Sequence, residues 1–166
     1  AMSVGEAVTS DHQLTRLLQI GVVLEELVEA RAYHHYRTLA EKGEEPAEGE
    51  VAALLEHARE ESADHRARLE ALIDDLDGEG VDYEEIEGLV QETYGRTRPE
   101  DFDGVLYDQL AGEETAYKFY DDLIAAIEES DVSFGIDRET LLTELRAIRE
   151  EEADGVEEVT EIMRRR

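Results

Sequence analysis

An all-α fold, four long helices packed as a bundle, is what the sequence predicts, and three observations carry it. Three segments hold seams of apolar residues in alternating four- and three-residue steps, the signature of a helix face packed on other helices. The only prolines, Pro46 and Pro99, each stand where a helix would begin after a polar, glycine-bearing stretch. Hydrophobic residues make up 41% of the chain and fall in these periodic segments, which argues against disorder despite a net charge of -29. With 166 residues, a single domain over 1–166 is expected.

The first long helix is expected over about 11–41. Leu17, Leu18, Ile20, Val22, Val23, Leu24, Leu27 and Val28 wrap most of its circumference, a belt wider than one core would cover, so the sequence predicts a homodimer formed through this helix. The second, over about 47–76, carries the seam Val51, Leu55, Ala58, Ser62, His65, Leu69, Leu72, Leu76. The link from Asp77 to Arg98 has an amphipathic pattern of its own, Tyr83, Ile86, Leu89, Val90, Tyr94, and is expected to be a long crossover carrying a short helix. The third long helix, over about 100–129, has the seam Leu106, Leu110, Glu113, Tyr117, Tyr120, Ile124, Ile127. The fourth, over about 138–164, has Leu141, Leu145, Ile148, Glu152, Gly155, Val159, Ile162. Short links at 42–45 and 130–135 imply two antiparallel hairpins.

The two hairpins resemble each other. Glu29 to Tyr36 and Glu113 to Tyr120 both read E-x-x-A-Y-x-x-Y, and Glu60 to His65 lies over Glu150 to Gly155. The only seam residues that are neither apolar nor aromatic are Ser62, His65, Glu113, Glu152 and Gly155. Acid fills 45 of 166 positions yet enters these three seams only at Glu113 and Glu152, so it is excluded from the interior elsewhere. An unpaired carboxylate there costs several kcal/mol, more than the ~1.5–3 kcal/mol a neighbouring buried Leu contributes. Glu113 and Glu152 should therefore be ligated, hydrogen-bonded or protonated. Glu29 occupies the matching position of the first helix.

These residues resemble the ferritin-like superfamily, in particular its rubrerythrin and bacterioferritin branch of duplicated four-helix bundles. In that family, a glutamate from each of the first and third helices and a Glu-x-x-His pair from each of the other two hold two iron or manganese ions. Carried over, the single glutamates are Glu29 and Glu113, and the pairs are Ser62 with His65 and Glu152 with Gly155, so one pair lacks its glutamate and the other its histidine. The resemblance implies metal ligands Glu29, His65, Glu113 and Glu152. One position would keep Glu29, His65 and a bridging Glu152, and the other only two carboxylates. At most one Fe, Mn or Zn ion is then expected, with oxygen, peroxide or iron chemistry as the implied setting. The alternative is a metal-free dimeric structural or interaction module that keeps a relic of the site, with Glu113 accepting a hydrogen bond.

Glu61, one turn before His65, is a candidate for the carboxylate missing at Ser62; otherwise Glu25, Glu60, Glu61, Glu114 and Glu151 are expected on solvated or helix-helix faces. His34 and His35 are expected on the surface, and Tyr33, Tyr36, Tyr117 and Tyr120 in the core with polar tips. If the register holds, Ser62→Glu with Gly155→His should rebuild two complete pairs.

Composition bounds the partners. An excess of 45 acidic over 16 basic residues repels a phosphate backbone, so nucleic acid is not expected. Cysteine is absent, which removes disulfides, thiolate metal sites and cysteine nucleophiles. The longest apolar-rich run, Leu14 to Val28, contains Gln19, Glu25 and Glu26 and is shorter than the ~20 residues a membrane span needs. No charged-then-apolar leader opens the chain, so a cytoplasmic location is expected. Lys42 and Lys118 are the only lysines, and arginine bias with dense acid resembles proteins of salt-loving organisms. Carboxylate repulsion reaches ~30 Å at 0.01 M salt and only ~3 Å at 1 M. The melting temperature should therefore climb from low to molar salt, and a flat profile would contradict this reading of the charge.

Overall fold

The computed structural model describes residues 8–43, 49–76, 78–94 and 102–165. Among them every regular element is helical and there is no strand: α1 (Asp11–Lys42), α2 (Glu50–Asp75), α3 (Tyr83–Tyr94), α4 (Phe102–Glu128) and α5 (Arg138–Arg164). The four long helices and the short crossover helix fall where the periodicity put them, while Pro46 and Pro99 lie outside the described residues.

Local chemistry explains the ends. Ser10 caps α1 by accepting from the Gln13 amide, and Gly43 closes it in the left-handed conformation at φ 65°, its amide donating back to Leu39 and Ala40. Asp137 caps α5 by accepting from the Thr140 amide. After α4 one side chain ties the turn together: Arg138 donates to the Ile127 carbonyl of the helix end at 2.6 Å and to Val132 in the following link at 2.7 Å.

α1 packs against α2, α4 and α3, and α5 packs against α4 and α2. Paired side chains give the directions. Between α1 and α2, Glu25 meets His65, while Arg59 lies over Tyr33. Between α1 and α4, Glu25 meets Tyr120 and Arg31 meets Asp108. Between α2 and α5, Arg68 meets Glu144 and Arg165 meets Glu50; between α4 and α5, Arg146 meets Glu128 and Gly155 meets Glu113. In each pair one number rises as the other falls, so all four neighbours are antiparallel. α2 and α4 consequently run the same way, and the chain between them must return along their length.

That return is fastened to α1. The Gln19 side chain donates to the Val81 carbonyl and accepts from the Val81 amide, both at 3.0 Å. Gly80 permits it, because a Cβ there would lie 2.6 Å from the Gln19 amide. Ile86 and Val90 of α3 are 2% and 0% exposed and join the core formed by Leu18, Val22, Val23 and Leu24. Burial at about 1.5–3 kcal/mol for each such side chain holds α3 in place. Much of the apolar belt of α1 is thus covered within one chain: Val22, Val23, Leu24 and Val28 are no more than 4% exposed, while Leu17, Ile20 and Leu27 are part-buried. That belt supplied the argument for a homodimer through this helix, and α3 covers part of it.

The core is divided. One apolar cluster gathers Leu14, Leu18, Leu69, Leu123, Leu141 and Leu145 with their neighbours; the other gathers Leu39, Val51, Leu55, Leu106, Val159 and Ile162. In sequence, on every long helix, the gap between the two clusters holds buried polar residues, among them Glu25, Ser62, His65, Gln109, Glu113 and Glu152. No described helix is long and apolar enough to cross a membrane.

Candidate metal centre

The polar layer draws one or two residues from each long helix. α2 contributes His65, fully buried, because the seam that buries Leu55, Ala58, Leu69 and Leu72 carries it inward. Its Nδ1 lies 3.0 Å from Glu152 Oε1 of α5 and 3.2 Å from Glu25 Oε2 of α1, and its Nε2 lies 3.0 Å from Glu151 Oε1. Three carboxylates thus converge on two ring nitrogens. Tyr120 of α4, fully buried, donates its hydroxyl to Glu25 Oε2 at 2.6 Å. The other oxygen, Glu25 Oε1, is buried with no hydrogen-bond partner among the described residues.

A second group adjoins the first. One donor atom each from Glu25, His65 and Glu152 lie within 4.8 Å of one another, and so do one each from Glu61, Glu113 and Glu152. Glu152 belongs to both. Glu113 accepts from Gln109 Nε2 at 2.9 Å, while Glu61 approaches the exposed His57 at 3.7 Å.

Crowding of acid without solvent moves the protons. Burial, with the charges of Glu113 and Glu151, pushes Glu61 up to about 7 against the pull of His65 and His57. Burial also raises Glu113, and raises Glu152 well above the carboxylate range, with the charge of Glu25 and the contact between the two acids adding to the rise of Glu152. Burial pulls His65 down, but its hydrogen bond and charge pairing with Glu25, then Glu151 and Glu61, outweigh that and hold it at about 9. Burial thus favours the protonated form of Glu61, Glu113 and Glu152. Such a constellation of oxygens with one imidazole is what a first-row divalent ion displaces protons from. The orphaned Glu25 Oε1 is the atom that best fits a ligand role.

No protein family, curated protein or solved structure matches the chain.

Of the expected ligands, His65, Glu113 and Glu152 come together in this layer. Glu29 does not: it is part-exposed and accepts from Arg66 Nη1 at 2.8 Å, and Glu25, one turn earlier, takes the place assigned to it. Glu25, expected on a solvated or helix-helix face, is 0% exposed and lies between α1, α2 and α4. Its signal was present in the internal repeat, where Glu25 aligns with Gln109, another buried polar residue. Glu61 stands with Glu113 and Glu152 as the sequence allowed, whereas Glu60 and Glu114 are exposed as expected. Glu151 touches the back of the ring and is in turn bound by Arg68 at 3.0 Å.

Other expectations change. Tyr33 and Tyr117 are 44% and 38% exposed, so only Tyr120 and the half-buried Tyr36 sit as core tyrosines. His34 is exposed, but His35 is buried against Asp108 Oδ2 at 2.7 Å. Gly155 leaves no space for the histidine that the repeat would place there, since a Cβ would lie 2.6 Å from Glu113 Oε2. Gly155 and Glu113 do share one level, as the register predicted, but rebuilding the pair would displace a candidate ligand.

Proposed function

We propose that the chain is a ferritin-like four-helix bundle, made of two related hairpins with a long crossover, that binds first-row divalent metal in its core. The principal position is formed by Glu25, His65 Nδ1 and Glu152, and a second by Glu61, Glu113 and Glu152. One observation carries the reading: fully or largely buried carboxylates surround a single imidazole, and one of their oxygens has no partner among the described residues. A carboxylate in that state is costly unless a cation compensates it. Glu151 would hold the imidazole from behind by accepting from Nε2, the usual support for a metal-binding histidine. A redox-capable ion bound there would offer open coordination positions to a small ligand such as oxygen or peroxide. The antiparallel pairing of the long helices and the returning crossover support the bundle. A halophilic setting is part of the same reading and draws on composition alone.

The competing reading is a metal-free dimeric module joined through α1, whose Leu17, Ile20 and Leu27 are only part-buried within one chain. Chain purified without a chelating column should carry Fe, Mn or Zn, or take up at least one equivalent when incubated with these ions. Glu25→Gln should weaken that uptake by on the order of 10- to 100-fold, and Glu29→Gln should leave it unchanged. A folded protein that takes up none, or one that loses metal with Glu29 and keeps it without Glu25, would overturn the assignment.

A further inference from the structure

The two positions share Glu152 and differ in the rest of their surroundings. The first offers a ring nitrogen and two carboxylates, and its side chains are sealed: His65 and Glu25 are 0% exposed and Glu152 3%. The second offers three carboxylates and no nitrogen. One of them, Glu61, is 17% exposed and opens toward His57, 59% exposed, whose Nδ1 lies 3.4 Å from Glu158 Oε2. No nitrogen can enter the second position from α5, because Gly155 stands at the repeat's counterpart of His65 with Glu113 against its backbone.

These differences select different ions. Imidazole with carboxylate suits zinc, iron or cobalt, whereas an all-oxygen set suits manganese or magnesium. A position with one edge toward solvent also suits an ion that keeps some of its waters. The two groups of donors have only Glu152 in common, so two positions are present.

Resting on the metal-binding reading above, we propose that the centre is built for an unlike pair, a borderline first-row ion held by His65 and a hard, oxygen-seeking ion held by Glu61, Glu113 and Glu152. Raw affinity follows the metal series at both positions, so zinc in excess fills both. The discrimination shows when zinc is limited to one equivalent.

The test uses the full chain freed of metal, loaded with one equivalent of Zn2+ and titrated with Mn2+, the free Mn2+ being followed by its solution EPR signal. One further equivalent of Mn2+ should bind while the Zn2+ stays. Glu61→Gln should weaken Mn2+ by at least ~10-fold and spare Zn2+, and His65→Ala should weaken Zn2+ by on the order of 100-fold and spare Mn2+. Circular dichroism checks each fold, and Glu61→Gln, at a part-exposed position, keeps the test open if His65→Ala does not fold. The proposal is overturned if the Zn2+-loaded chain takes no Mn2+, or if each folded variant weakens both ions alike. Failure of the unmutated chain to bind either ion would instead sink the metal-binding reading itself.

Discussion

Replacing Asp108 with alanine is expected to destabilise the fold by about 3–5 kcal/mol. Asp108 of α4 is 3% exposed and binds both Arg31 and His35 of α1, accepting from Arg31 Nε at 3.0 Å and lying 2.7 Å from His35 Nε2. Burial alone would raise its pKa, but the bonds from His35 and Arg31 and the Arg31 charge hold it below the usual value. Removing the carboxylate takes from a guanidinium 9% exposed the charge and the bonds that Asp108 gives it. Replacing the whole trio with apolar residues of similar volume should cost far less, because the penalty belongs to breaking the buried pair and not to a net gain from it. Chemical denaturation measures both; a loss below about 1 kcal/mol for Asp108→Ala would show that the trio is not buried in solution.

The second large effect is a pH dependence that metal reverses. Glu61 is held at about 7 against 4.5, and His65 at about 9 against 6.5. A group whose folded pKa lies above its unfolded value contributes stability that is present below the unfolded value and lost as pH rises through the folded one. The acid and the imidazole therefore act in the same direction. Metal-free protein should lose stability from about pH 5 to 9, by roughly 3 kcal/mol from Glu61 alone at 1.36 kcal/mol per unit. Asp108 is depressed, so its contribution is lost only as pH falls below the ordinary carboxylate value and does not disturb this window. Added Zn2+ or Mn2+ competes with the same protons, so its stabilising effect should grow across that range, reaching about 4 kcal/mol at a thousandfold excess over Kd. Thermal melts in molar salt, where surface repulsion is screened, give the answer; a metal-free profile flat with pH would contradict the description of the layer.

How far the sequence foretold this depends on how each helix is surrounded. α2 and α5 have one apolar stripe apiece, and all eight seam residues of α2, His65 and Ser62 among them, are buried as the spacing required. α5 buries Glu152 on its stripe for the same reason. α1 behaves differently because it touches α2, α3 and α4, which makes it apolar around most of its circumference. A helix with so narrow a polar side carries little periodicity to say which of its acids points inward. Glu25 and Glu29 stand one turn apart on one face, about 6 Å along the axis at 1.5 Å per residue. The repeat with Glu113 favoured Glu29, but Arg66, adjacent to His65 and part-exposed, supplies that carboxylate with a partner at the surface. Tyr120 then provides the hydroxyl that draws Glu25 inward. The Asp108 trio was illegible for a related reason, since an aspartate paired with arginine and histidine from another helix leaves no pattern within its own.

The central claim is that Glu25, His65 and Glu152 form one metal position. Crystals grown with Zn2+, measured on both sides of the zinc absorption edge, test it most directly. The account predicts an anomalous peak at about 2.0–2.2 Å from His65 Nδ1 and from a carboxylate oxygen of Glu25 and of Glu152. A peak beside Glu29, or His65 still bound to carboxylates alone in crystals whose protein took up zinc, would contradict it.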